Sequence, residues 1–233
     1  MSIRVYSAIA AVVFLSACAA SIDPALQQRV GEWFTKSSSE VYDASGTFEK
    51  VMPYAVGQYV VYGITDDDGR SVYRTAVVGR EGDAWIVEMS TLSPTGETTM
   101  QVAATGLDQV QQSMDPDQMD LKWIKMKSGD GEVQKIDGMV LGMMKGTYKK
   151  ALTGLVINIQ PEGGSAAVRV PAGTFNGATK ASAEVETTLK DFTTVGYWHP
   201  SVPLNGMVRS TSEEDNSTME LIEFGTTGAK ATI

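Results

Sequence analysis

The sequence predicts an α+β fold that is mostly antiparallel β, and three observations lead there. Between Gln58 and Phe224 the chain carries a succession of short runs of β-branched and aromatic residues with period two, separated by Gly, Asp and Pro turn residues. Only one segment, close to the N-terminus, shows a clean helical period, and strands never alternate with helices in the manner of a parallel sheet. The 233 residues are 42% hydrophobic and 20% charged, which suits one globular domain. A chain of this size buries roughly 70% of its unfolded surface and needs neither disulfide nor metal to hold it.

The first element is an export signal. Arg4 supplies a positive start, and the apolar run Val5 to Leu15 is shorter than the roughly 20 residues that span a bilayer. Leu15-Ser16-Ala17-Cys18 then resembles the lipobox of bacterial lipoproteins, and the only cysteine in the chain falls at the required place. The resemblance implies cleavage between Ala17 and Cys18, with acyl chains on Cys18 as the only covalent additions and no other cofactor. Each buried methylene contributes about 0.8 kcal/mol, so two or more chains hold a protein stably at a membrane. By resemblance to the enterobacterial sorting rule, Ala19 after the cysteine, in place of Asp, implies delivery to the outer membrane.

Residues 18–40 are expected to hold the lipidated cysteine, a tether and a helix. Asp23-Pro24 reads as an N-cap with proline at the first helical position, and Leu26, Val30, Trp33 and Phe34 form one apolar face up to Lys36. That face serves either core packing or contact with lipid. Residues 41–233 are expected to form one β-rich domain. Its runs are Gln58 to Thr65, Ser71 to Arg80, Ala84 to Thr91, Glu97 to Thr105 and Leu121 to Met126, then Val156 to Ile159, Ala167 to Val170, Thr179 to Leu189, Thr193 to Trp198, Met207 to Ser212 and Thr218 to Phe224. The exception is Ile136 to Leu152, where Gly138, Gly142 and Gly146 recur beside Met139, Met143 and Met144. A helix there sets adaptable thioethers to line or plug an apolar cavity. A loop or short helix packed closely on the sheet is the alternative, because each glycine weakens a helix by roughly 0.5 to 1 kcal/mol.

Composition removes several functions. A net charge of −9, or −10 once Arg4 leaves with residues 1–17, repels phosphate backbones, so nucleic acid is not an expected partner. One cysteine and one histidine exclude thiolate-rich and His-pair metal sites within the chain. Asp66-Asp67-Asp68-Gly69 fails as a calcium loop, because aligning Gly69 with the sixth position puts Ile64 first and Thr75 twelfth. It reads as a hairpin turn, as does Glu213-Glu214-Asp215-Asn216. His199 precedes Pro200 at a strand end with no nucleophile or orienting acid beside it in sequence. No nucleophile elbow, phosphate loop or dinucleotide fingerprint is present.

A second resemblance lies in the C-terminal third. Val170-Pro171-Ala172-Gly173-Thr174-Phe175, Trp198-His199-Pro200-Ser201-Val202-Pro203-Leu204-Asn205-Gly206-Met207-Val208 and Glu220-Leu221-Ile222-Glu223-Phe224-Gly225 resemble blocks of poorly characterised envelope proteins similar to the LolA/LolB-like fold. The resemblance implies a curved half-barrel sheet with one or two helices and an apolar cavity on its concave face, and it supplies no catalytic residues to carry over. Met139, Met143 and Met144 of the glycine-spaced segment, with Trp198, are the residues expected to line that cavity, while Phe175, Trp198 and Phe224 also read as core aromatics. The expected role is a non-enzymatic, lipid-anchored envelope lipoprotein that binds a lipid or acyl chain. The alternative is a structural or assembly lipoprotein that binds another envelope protein.

Overall fold

A computed structural model describes residues 21–45, 48–113, 116–143, 160–185, 192–212 and 216–233. The elements run α1 (Pro24–Phe34), β1 (Val41–Asp43), β2 (Tyr59–Asp66), β3 (Gly69–Glu81), β4 (Ala84–Ser93), β5 (Gly96–Thr105), α2 (Leu107–Ser113), a 3₁₀ turn (Pro116–Gln118), β6 (Asp120–Ser128) and β7 (Gln134–Ile136). They continue with β8 (Gln160–Val170), β9 (Gly173–Val185), β10 (Phe192–Trp198), β11 (Met207–Ser212) and β12 (Ser217–Gly225). Residues 138–143 are also helical.

The expected meander is present. Strands β2 to β7 pair in sequence order, all antiparallel. Tight turns set this arrangement: Asp66 Oδ1 accepts from the Asp68 N–H at 2.9 Å, and Asp66 pairs with Gly69, whose φ is +121°. On the other side of β2 the order is β12, β11, β10, β9, so that one open, mostly antiparallel sheet results. The short β1 joins β9 in parallel at Thr174 to Asn176, while β10 pairs with β9 from Thr179 to Val185. These two strands therefore lie end to end along one edge of β9, and β8 occupies the other.

The sheet curls at this end. Ile222 is an extra residue opposite β2, and Leu221 lies just past Glu220, the last β12 residue paired with β11. The Leu221 carbonyl accepts instead from Ala172 N–H, 3.0 Å away in the β8–β9 turn. A sheet whose β9 hairpin touches β12 across two intervening strands must roll.

Each face has its own cover. Val77, Val87, Val102 and Ile124 pair across β3 to β6 and belong to the larger core, together with Phe175, Trp198, Leu204 and Leu221. Leu107 and Val110 of α2 and Leu141 of the 138–143 segment join it, so two helical pieces pack on this inner face. Helix α1 takes the opposite face, where Val30 packs with Val61, Val72 and Leu92. Its start is as read from sequence: Asp23 accepts from Ala25 N–H at 2.8 Å, and Pro24 follows. Gly63 admits the helix, since a Cβ there would stand 2.9 Å from Phe34 Cζ and 2.8 Å from Ile222 Cδ1.

Some readings need correction. The strand expected from Thr179 begins at Gly173, and the one expected from Ala167 begins at Gln160. The short β1, β7 and α2 carry no strong period and were not expected. The run Val156 to Ile159 lies outside the described residues. No helix among the described residues is long and apolar enough to cross a membrane.

Candidate functional site

The two C-terminal motifs meet in one packed assembly. Val170 to Phe175 forms the β8–β9 turn, in which Gly173 has φ +139° and passes the backbone of Glu40. A Cβ on Gly173 would lie 2.7 Å from the Glu40 carbonyl oxygen. Ser38 N–H donates to Pro171 O at 2.8 Å and Thr174 N–H to Glu40 O at 2.9 Å, so the turn is clamped to the segment that follows α1. Phe175, fully buried, stacks on Tyr42 at 4.7 Å between centroids and meets His199 edge-on at 5.3 Å.

Trp198 to Val208 forms the β10–β11 connection. His199 N–H donates to Gly206 O at 2.8 Å and closes the loop. Leu204, at φ +66°, and Gly206, at φ +72°, turn the chain, with Phe48 packed where a Gly206 side chain would be. Tyr62 crosses from β2 and shares its hydroxyl hydrogen between Asn205 Oδ1 at 2.7 Å and Met207 O at 2.9 Å. Burial raises the Tyr62 phenol well above its ordinary range, so it stays a donor.

His199 is a core residue here. Its Nδ1 accepts from Ser201 N–H at 3.2 Å, which leaves Nε2–H to donate to Asn176 O, also 3.2 Å away. That tautomer is neutral. Desolvation lowers the ring's pKa, opposed by the Asn176 bond and by Asp43. With both nitrogens used on backbone, the ring has no free atom for proton transfer. Tyr42 is pushed up to about 12, first by burial and then by its hydrogen bond to Glu40 and that carboxylate's charge.

The cavity residues named from sequence are not brought together. Trp198 is buried in the larger core, against Gly196, and its indole N–H has no acceptor among the described residues. Met139 and Met143 are each 84% exposed, with Val140 also exposed, whereas Leu141 is buried. Helical spacing explains the difference. Met139 and Met143 share one face, and Leu141 stands about 200° away from each, so the core takes the leucine and solvent takes the thioethers. Met144 lies outside the described residues, as do Ala17 and Cys18.

The segment Asp66 to Gly69 is the hairpin turn between β2 and β3. Asp67 accepts from Asn216 Nδ2 at 2.8 Å, and no group of three or more His, Cys, Asp or Glu stands ready to hold a metal among the described residues. Sequence reasoning missed one polar cluster, formed by Arg74, Glu88 and Gln101 on β3, β4 and β5. The only signal was a glutamate set between the apolar Val87 and Met89, which alternation assigns to the solvent side.

No protein-family model matches the chain, and no curated protein matches it. Among solved structures, a hypothetical protein from Chlamydia trachomatis is similar at 9% identity with a TM-score of 0.40, over 78% of this chain and 91% of that one. A "putative lipoprotein" from Parabacteroides distasonis is similar at 13% identity with a TM-score of 0.30, over 78% of this chain and 100% of that one. Likenesses this loose carry no argument about activity.

Proposed function

We propose that this protein is a non-enzymatic cell-envelope lipoprotein, held at the outer membrane by acyl chains on Cys18, whose domain binds an apolar ligand such as a lipid or acyl chain. The observation that carries the anchor is the position of the lipobox cysteine. Asp23 is fixed to the sheet, its N–H bonded to Pro94 O at 2.8 Å, and only residues 19–22 separate it from Cys18. At 3.3 to 3.6 Å per residue, such a tether reaches at most about 18 Å, so the domain stays beside the head groups. The β4–β5 turn that holds Asp23 then faces the membrane.

Trp198 supports the ligand part of the reading. Its buried indole N–H lacks an acceptor among the described residues, and an ester or carboxylate oxygen of a bound lipid would supply one. The exposed Met139, Val140 and Met143 favour a second reading, in which the apolar partner is the surface of another envelope protein. One experiment separates them. A soluble chain starting at Ala19, purified without detergent from envelope extract, is subjected to lipid extraction and mass spectrometry. Stoichiometric lipid supports the ligand reading. A lipid-free protein that also fails to take up a fluorescent fatty acid overturns it and directs the search to protein partners.

A further inference from the structure

On the outer face of the sheet, Ala76, Glu88, Gln101 and Lys125 pair in a row across β3 to β6. Glu88 is completely buried and Gln101 nearly so, although helix α1 covers a different part of this face. The chain after β12 comes down on them instead. Residues 226–233 have no regular secondary structure and leave Gly225 to cross the strands. Ala229 N–H donates to Gly57 O at 2.9 Å, Thr232 N–H to Glu88 Oε2 at 2.8 Å, and Gln101 Nε2 to Ile233 O at 2.6 Å. Gly57, at φ +99°, makes room for the crossing, since a Cβ there would stand 3.0 Å from Gly228 N.

Each of these bonds engages the main chain of the tail. Residues 226–228 and 230–232 are exposed, so most of the tail's side chains are not held. Glu88 thus accepts from the Thr232 N–H and Gln101 donates to a main-chain oxygen of Ile233, the last residue of the sequence, so both bonds engage groups that do not depend on the tail's side chains. Arg74 holds the other oxygen of Glu88 at 2.8 Å, and Gln101 Nε2 also reaches Glu88 Oε2 at 2.9 Å, which fixes the carboxylate in place. A buried carboxylate that relies on a mostly exposed strap for one of its bonds is a site with a replaceable occupant.

We propose that Glu88, Gln101 and Arg74 form a docking site for an extended peptide main chain, that residues 226–233 fill it in cis, and that an extended segment of a partner protein exchanges with them. This site is independent of the lipid anchor and of the inner-face ligand. Its cis occupant competes at an effective concentration in the mM range, so a free peptide at about 10 μM enters only when the strap is detached.

A specific protease site inserted between Thr226 and Thr227 lets the full chain fold with its tail in place before being cut. The probe is a fluorescent peptide of residues 227–233, read by anisotropy. The expected result is saturable uptake by the cut chain and none by the uncut chain at the same concentration. A Thr232→Pro peptide, which lacks the N–H that Glu88 accepts, should bind about tenfold more weakly or worse, as should the wild-type peptide to a Glu88→Gln chain. A cut chain that keeps its circular dichroism yet takes no peptide at about 1 mM overturns the proposal, as does equal binding of the Thr232→Pro peptide. Amide exchange on the uncut chain gives an independent reading. Thr232 should exchange by local opening, about tenfold or more faster than the β4–β5 ladder, whereas exchange only at the global unfolding rate refutes a displaceable strap.

Discussion

Replacing Tyr62 with phenylalanine tests whether the β10–β11 connection is a structural lock. The ring is fully buried, so Tyr62→Phe removes one hydroxyl and leaves the packing in place. The lost hydroxyl donates to Asn205 Oδ1 at 2.7 Å and lies 2.9 Å from Met207 O. Asn205 Oδ1 keeps a second donor, Met207 N–H at 3.2 Å, so the amide oxygen is not abandoned. The net loss of a buried hydrogen bond is about 1 kcal/mol, and a less well satisfied Met207 carbonyl adds on the order of 1 kcal/mol more, giving about 1 to 3 kcal/mol. In a domain of this size each kcal/mol moves the midpoint by about 2 to 4 °C, so the variant should melt about 2 to 12 °C lower. Urea denaturation at pH 7.5 with an unchanged m-value, and a double-mutant cycle with Asn205→Ala showing coupling of about 0.5 kcal/mol or more, complete the assay. A Tyr62→Phe protein within about 0.3 kcal/mol of wild type would refute the lock.

Three further outcomes follow from the packing. Because burial lowers the His199 pKa, folding favours the neutral ring, and the stability it contributes is fully present above about pH 6.5 and lost as pH falls from there through the lowered folded value. Urea midpoints for wild type and His199→Gln should therefore converge between pH 7.5 and pH 5, and a constant gap would contradict the neutral assignment. Gly173→Ala places a Cβ against the Glu40 carbonyl at a backbone angle that favours glycine, so it should cost about 2 to 4 kcal/mol in thermal melts, and a neutral effect would show that the segment through Ser38 and Glu40 does not clamp the turn. Val30→Ala empties the contact of α1 with Val61, Val72 and Leu92 and should cost about 1 to 3 kcal/mol, whereas a freely tethered helix would give a cost near zero in the same melt.

The strands were legible where one face is buried and the other half-exposed, because that arrangement forces period two. β4 and β5 match their runs to within two residues. β8 was legible only at its end, since Pro161, Gly163 and Gly164 erase the alternation and its pairing with β9 slips at two places. The three-residue β1 exists because the Pro171, Thr174 and Asn176 backbones, more than 100 residues away, receive it. No local pattern encodes such a strand. For the candidate site, the methionine spacing in 138–143 was readable as a helical face, but which face meets the core depended on the burial of Leu141. Glu88 was unreadable for a related reason. Alternation sends it outward correctly, and only the returning tail turns that outward position into a buried one.

Intact mass spectrometry of the protein extracted from bacterial membranes is the most direct test of the lipid anchor. The account predicts a polypeptide that begins at Cys18 and carries a diacylglyceryl group and an N-linked acyl chain, and a Cys18→Ser chain that lacks them and leaves the membrane fraction. A mature protein cleaved elsewhere, or one beginning at an unmodified Cys18, would contradict it.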